Sequence, residues 1–423
     1  MRIQISPAKA EGCLQPPASK SLSHRAVICA GLANGISRID NAADSRDLQA
    51  TLSCMEALGA KITKENGTTV IQGCDPAKLD HPAVLDAYES GSTLRFFIPL
   101  AASSAQPVTF LGQPTLLTRP MGVYADLFLR QNLKFVQSSE KIKVQGPLQA
   151  GLFELPGDIS SQFISGLLLA APLLQGGSAI AVLPPYESKS YVDLTVDMMK
   201  RFGVQVIQPT AHGYEIAPGQ KYRPQSLTVE GDYSQAAFFA VWAAIRGKMT
   251  LKDMNPDSLQ GDRVILNQLK QAGTHIIWKG NDVSVHAGSL KPTVLDLADC
   301  PDLGPILCVL AAYTPGTTKL IHAARLRYKE CDRIAAMEEE LKKWGVSITS
   351  DEDSITIQGK ESWSSDKPVV MDGHNDHRIV MAMSIFTLCA ESEGIIDGAQ
   401  AVAKSYPNFF EDLKKLKVKV IEL

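Results

Sequence analysis

The sequence lacks the features that would tie it to nucleic acid, a membrane or a secreted scaffold. Its 42 Lys and Arg nearly balance 45 Asp and Glu, for a formal net charge of -3. With no basic tail or block, a nucleic acid or an anionic membrane finds no electrostatic support. The longest apolar stretch, FISGLLLAAPLL, is short and broken by Gly and Pro, so no bilayer-spanning helix is expected. The first residues, MRIQISPAKAEG, hold no apolar h-region, and a cytoplasmic location is expected. The eight cysteines form no CxxC pair and mostly sit among apolar neighbours, which fits reduced core thiols better than disulfides or a zinc site.

Familiar catalytic signatures are missing as well. No GxxxxGK[ST] occurs: RGKMT has neither the leading glycine nor a hydroxyl residue after the lysine. No GxGxxG opens a helix, and there is no GxSxG elbow or activated cysteine motif. His374 and His377 can share a helix face, but no third ligand has recognisable spacing and Arg378 beside them repels a cation. No metal is expected.

What is present is a repeat. The chain has 423 residues, 45% hydrophobic and 21% charged, room for two or three domains with substantial cores. Six segments share an order of helix end, small-residue turn, short strand, polar loop, amphipathic helix and second strand. They begin near Ala30, Leu100, Ala171, Ala243, Ala311 and Leu388. A period of roughly 70 residues suits a small α+β unit better than a solenoid repeat.

The polar loops DSRD, LLTRP, ESKSY, LQGDR, RYKECDR and AKSYP each precede the amphipathic helix. Free backbone N–H groups at a helix start meet anions, and a basic side chain beside them strengthens the effect. Four further clusters open almost wholly apolar helices: SKSLSHR, ESGSTLR, DISSQF and HNDHR. Capping explains one Ser or Asp per helix. It does not explain Lys20, Arg25, Arg119, Arg333, Arg378 and Lys404, a cation at most of these entrances. Entrances sharing one cleft would make a cationic, N–H-rich pocket for phosphate and carboxylate groups. Simpler readings stay open for single residues: caps at Ser160, Ser161 and Asp302, room at a turn for Gly91, a core ring for Tyr191.

The motifs SKSLSHR, SGSTLR, TRPM, SSQF, SKSY, PDLGP, YKECDR, NDHR and AKSYP, in this order and spacing, resemble the enolpyruvyl transferases over essentially the whole chain. Within that family they are similar to the branch whose acceptor is shikimate 3-phosphate. The resemblance implies an α/β fold, a two-domain inside-out α/β barrel of six βαβαββ repeats with the active site in the interdomain cleft. One domain would span 18–229; the other would combine 1–17 with 230–423. It implies transfer of the enolpyruvyl group of phosphoenolpyruvate to the 5-hydroxyl of shikimate 3-phosphate, with no metal or organic cofactor and with a monomer expected.

By the same resemblance, Lys20 lies between the two substrates and joins Asp302 and Glu330 in catalysis. Lys20, Gly91, Arg119, Gln162, Arg333, Arg378 and Lys404 surround phosphoenolpyruvate. Lys20, Ser21, Arg25, Ser160, Ser161, Gln162, Ser188, Tyr191, Asp302 and Lys329 bind shikimate 3-phosphate. Asp302 resembles the base for the hydroxyl proton and Glu330 the proton shuttle at the methylene carbon; His377 is at most a helper. Two positions depart from the common pattern: Glu89 where Asn is usual, and Arg325 where an Asn often contacts the acceptor. Gly91 is kept, leaving open the space that glyphosate-type inhibitors use. A sister branch acts on UDP-N-acetylglucosamine and usually carries a cysteine before the donor-binding Arg; here that loop reads GQPTLLTRP. A non-catalytic polyanion-binding scaffold would have little use for Asp302 and Glu330, since carboxylates weaken anion binding.

Overall fold

Six helices are apolar on nearly every side, and a helix of that kind must be buried. In the computed structural model, which describes residues 1–423, each of them is the centre of one repeat: Lys20–Leu32, Gly91–Ala101, Ser161–Ala170, Tyr233–Arg246, Gly304–Ala312 and His377–Cys389. Ser19, Ser90, Ser160, Asp232 and Asp376 cap five of them through side-chain oxygens. Each lost cap would cost about 1 kcal/mol. The second helix of each repeat has one polar face and covers its sheet from outside, as in Arg333–Lys343, where Ile334, Ala336, Met337 and Leu341 face inward.

The strands form six four-stranded mixed sheets. In Ala83–Asp86, Pro107–Leu111, Lys134–Gln137 and Ile142–Gln145 the first two strands run parallel, and the fourth pairs antiparallel with the second and the third. The other five sheets repeat this order, first-second-fourth-third. A parallel pair needs a crossover, and in four of the six sheets the central helix supplies it.

The chain divides into two compact units, 1–17 with 230–423, and 18–229. The crossings are made with strands. Cys13–Leu14 runs parallel to Lys248–Leu251 and takes the first-strand place in that repeat. Ser226–Thr228 takes the matching place beside Ile36–Asp40. The N-terminal strand Arg2–Ile5 is the fourth strand of the last repeat, between Gly394–Asp397 and Val420–Glu422. Each unit holds one continuous apolar core. In the discontinuous unit it centres on Phe386, whose ring lies 5.0 Å from Tyr313 and 5.1 Å from Trp344.

A glycine recurs where the fourth strand ends against the carbonyls that close the central helix. A Cβ on Gly146 would stand 2.0 Å from the Ala102 carbonyl oxygen, and one on Gly359 would stand 2.2 Å from those of Ala311 and Thr314. The neighbours are backbone and cannot step aside. Gly146→Ala and Gly359→Ala should each destabilise by about 1–3 kcal/mol or more. Gly122→Ala, with nothing near its Cβ, should leave thermal unfolding almost unchanged. Equal melting temperatures for all three variants would refute the steric reading.

Candidate active site

The discontinuous unit gathers its charges around one guanidinium. Arg333, the first residue of its helix, is 1% exposed. Its Nε donates to Asp376 Oδ2 at 2.8 Å, and its Nη2 to Asp376 Oδ1 at 3.3 Å. The same Nη2 reaches Glu330 Oε2 at 2.7 Å, and Nη1 reaches Asp302 Oδ1 at 3.1 Å. Burial works against the charge on Arg333, but Asp376, Glu330 and Asp302 outweigh it and hold the guanidinium well above its ordinary pKa. It is a permanent cation.

Asp302 is shared further. Arg378 Nη2 donates to its Oδ2 at 2.9 Å and Arg378 Nη1 to its carbonyl at 3.1 Å, while Lys329 Nζ lies 3.2 Å from Oδ1. The following helix has no side-chain cap, so Asp302 is spent on cations rather than on capping. Burial pulls the Lys329 ammonium below its ordinary pKa, against the pull of Asp302. Asp376 caps its own helix through the Arg378 N–H at 2.8 Å. Lys404 Nζ donates to the Asn375 carbonyl at 2.7 Å. Asp302, Lys329, Glu330, Arg333, Arg378 and Lys404 are thus brought together in one unit. His377 is buried beside Asp376, its Nδ1 3.9 Å from Oδ1. Cys331 packs against Asp376, Sγ 3.7 Å from Oδ2, with its thiol pushed up by burial. Arg325 donates to the Ala298 carbonyl.

The 18–229 unit carries the rest. Lys20 Nζ pairs with Asp47 Oδ2 at 2.8 Å. Gly91 opens its helix under two arginines: a Cβ there would lie 2.9 Å from Arg119 Nη1 and 3.2 Å from Arg95 Nη1. Gln162 donates to Ser92 Oγ at 2.9 Å and accepts from Arg95 Nη1 at 2.7 Å, which joins the entrances of two central helices. Ser160 caps its helix through the Gln162 N–H; Ser161 is that helix's first residue. Arg25 is buried and braces its surroundings, donating to Thr195 Oγ1 at 2.7 Å and to the Ser21 and Tyr191 carbonyls at 2.8 Å. Ser188 adopts a left-handed backbone, φ 53°, just before the Lys189–Arg201 helix that bears Tyr191. A chain of short contacts, His24 Nδ1 to Thr51 Oγ1 to Thr93 Oγ1 to Ser90 Oγ, each 2.7 Å, ties three helices together behind Lys20 and Gly91. Burial keeps His24 neutral by lowering its pKa well below the ordinary value.

Sequence reasoning left Asp47, Arg95 and Asp376 out of the proposed binding set, although each lies inside a quoted polar cluster. All three hold another site residue in place rather than standing open. The signal available was helix-entrance position; which carboxylate pairs with which cation depends on tertiary approach.

Such a repeat, with cations gathered at helix entrances, defines the enolpyruvyl transferase class. The chain is similar across 99% of its length to the enolpyruvyl transferase NikO from Streptomyces tendae, at TM-score 0.78 over 98% of that chain. At 15% identity this likeness speaks for the fold alone. The family model for EPSP synthase (3-phosphoshikimate 1-carboxyvinyltransferase) matches residues 5–413, and the chain belongs to that enzyme family. It is 41% identical over 416 residues to the 3-phosphoshikimate 1-carboxyvinyltransferase of Clostridium kluyveri, covering 98% of this chain and 97% of the relative. The structure of EPSP synthase from Acinetobacter baumannii matches at TM-score 0.80 and 27% identity, over the full length of both chains. No helix is long and apolar enough to cross a membrane.

One buried carboxyl gives the cluster a measurable pH dependence. Asp262 accepts the Ser234 hydroxyl, and burial, followed by the charge of Asp302, raises its pKa to about 7. In an unfolded chain it would ionise near ~4. Between these values the folded state holds the extra proton, so this group's contribution falls as pH rises and levels off above about 7. Asp262→Asn should therefore gain melting temperature relative to wild type on going from pH 5 to pH 8. A difference that does not change with pH would contradict the assignment.

Proposed function

We propose that this chain transfers the enolpyruvyl group of phosphoenolpyruvate to the 5-hydroxyl of shikimate 3-phosphate and releases phosphate, a step of aromatic amino acid biosynthesis. The observation that carries the reading is the pair of carboxylates, Asp302 and Glu330, held by one guanidinium at 3.1 and 2.7 Å. The reaction needs two proton carriers beside a cation, and Arg333 supplies that cation.

In this reading Asp302 takes the proton of the 5-hydroxyl as its oxygen bonds to C2 of phosphoenolpyruvate. Glu330 gives a proton to the methylene carbon, which becomes a methyl group. The product is a tetrahedral ketal phosphate. In the second step Glu330 takes a proton back from the methyl group, the C–O bond to phosphate breaks, the departing phosphate carries off the proton held on Asp302, and the enol ether forms. Charge builds on the phosphate oxygens as they depart, where preorganised cations contribute most. Arg119, Arg333, Arg378 and Lys404 with Gly91 take the donor's carboxylate and phosphate. Lys20 and Gln162 serve both substrates. Ser21, Arg25, Ser160, Ser161, Ser188, Tyr191 and Lys329 serve the acceptor, with Arg25 also bracing the Ser21 and Tyr191 segments. Each set draws on both units: Gly91 and Arg119 join Arg333, Arg378 and Lys404 for the donor, and Lys329 joins the 18–229 residues for the acceptor. The chain acts as a cytoplasmic monomer in this reading.

Phosphate release from phosphoenolpyruvate, with shikimate 3-phosphate or UDP-N-acetylglucosamine as acceptor, tests it. Release with shikimate 3-phosphate only, reduced about 10²–10⁴-fold in Glu330→Gln, is the expected result. Release with the nucleotide sugar alone would overturn the acceptor, and no release with either would leave an anion-binding scaffold. Gly91→Ala should raise KM for phosphoenolpyruvate about tenfold by displacing the Arg119 guanidinium, leaving KM for shikimate 3-phosphate nearly unchanged. Equal rises in both constants would refute the placement of Gly91 on the donor side.

A further inference from the structure

Behind Arg333 lies a second buried carboxylate that the reaction does not use. Glu340 is on the same helix, two turns on, and its side chain is 0% exposed. Its Oε1 accepts His374 Nε2 at 2.8 Å, and its Oε2 accepts the Asp372 N–H at 3.1 Å. Lys343 Nζ lies 2.9 Å from both oxygens. Glu339 completes a trio with Glu340 and His374 that could in principle ligate a metal, but the Lys343 ammonium already occupies the cation's place.

The segment held this way is unusual. His374 and Asn375 are consecutive non-glycine residues in the left-handed region, φ 48° and 49°. Two such residues in sequence persist only where surrounding contacts over-determine them. The His374 N–H closes on Asp372 Oδ1 at 2.6 Å, and the Glu340 contacts grip both ends of that turn. The next residues bear on the site: the Asn375 carbonyl takes Lys404, Asp376 takes Arg333, and Arg378 reaches Asp302.

We propose that Glu340 and His374 are positioning residues that hold the 372–376 turn and, through it, set the three phosphoenolpyruvate-binding cations Arg333, Arg378 and Lys404. The inference rests on the function proposed above. His374 faces Glu340, Glu339 and Lys343 on the helix and Asp372 on its own turn, with Lys404 on the adjoining carbonyl. Its hydrogen bond to Glu340, opposed by burial, raises its pKa above the ordinary value. The clamp is therefore strongest with His374 protonated and weakens as pH rises through that raised pKa.

Steady-state kinetics of the full chain test it. In His374→Gln, KM for phosphoenolpyruvate should rise about tenfold below the histidine's pKa and kcat should fall with it, since Arg333 and Arg378 also hold Asp302 and Glu330, while KM for shikimate 3-phosphate stays within about twofold. The ratio of variant to wild-type KM should shrink as pH rises through that pKa, since the wild type then loses the charge the variant never had. NMR of labelled histidine should place the His374 titration above the ordinary range, and Glu340→Gln should return it towards that range. This second measurement needs no substrate. A pH-independent KM ratio, an equal rise in both KM values, or an unshifted His374 would overturn the proposal while the function stands. No turnover of phosphoenolpyruvate in wild type would overturn the function and this inference with it.

Discussion

The site depends on the buried pair of Arg333 and Asp376. Two opposite charges removed from water repay their desolvation only with good geometry and further hydrogen bonds, and losing one partner typically costs 3–5 kcal/mol. Asp376 is fully buried and gives one oxygen to Arg333 Nε and the other to both its helix's N–H and Arg333 Nη2. That leaves the far side of the guanidinium to Glu330 and Asp302. The carboxylates assigned to proton transfer are thus positioned by a cation that is itself positioned by a carboxylate that takes no proton. A lysine could not do this. Only a planar fork presents donors to three carboxylates at fixed angles.

The repeat explains why such groups converge. In four of the six repeats the central helix connects the two parallel strands, and in the other two it leads into the second of them, so its N-terminus and the loop before the second helix emerge at the same end of the sheet. Tripling the unit triples the number of helix entrances at that end. The 18–229 unit uses its entrances for Lys20, Gly91 and Ser161; the other uses its entrances for Asp302 and Arg378. Backbone N–H groups and partial helix dipoles then reinforce the cations at each position.

The repeat itself was readable in the sequence because it rests on local patterns. Apolar helices, small-residue turns and amphipathic helices recur at a fixed period, and six four-stranded sheets follow the same order. The strand exchange was less legible. Cys13–Leu14 is two residues long, too short for an alternation, and its partner Lys248–Leu251 lies more than two hundred residues away. Charge at a helix entrance picked out Lys20, Arg333 and Arg378, each of which the structure pairs with a carboxylate. It could not separate a cap from a ligand group. Ser160 caps its helix, whereas Asp302, which reads equally well as a cap, spends its carboxylate on Arg333, Arg378 and Lys329. Asp47 and Asp376 were hidden for the same reason: pairing across elements leaves no periodic trace.

The arrangement also separates strength from adjustability. Arg333 and Asp376 are fully enclosed, so their attraction is screened little by salt, and Arg333 is held well above its ordinary pKa. Lys20 with Asp47, and Lys329 with Asp302, are only partly enclosed, with side-chain exposures between 9% and 29%. Those lysines are open enough for a ligand's phosphate or carboxylate to reach them. A site that must bind two anionic substrates and then release an anionic product needs both kinds. The enclosed pair keeps the geometry of its own unit, and Asp302 stands between the two kinds, held by Arg333 and Arg378 on one side and by the partly open Lys329 on the other.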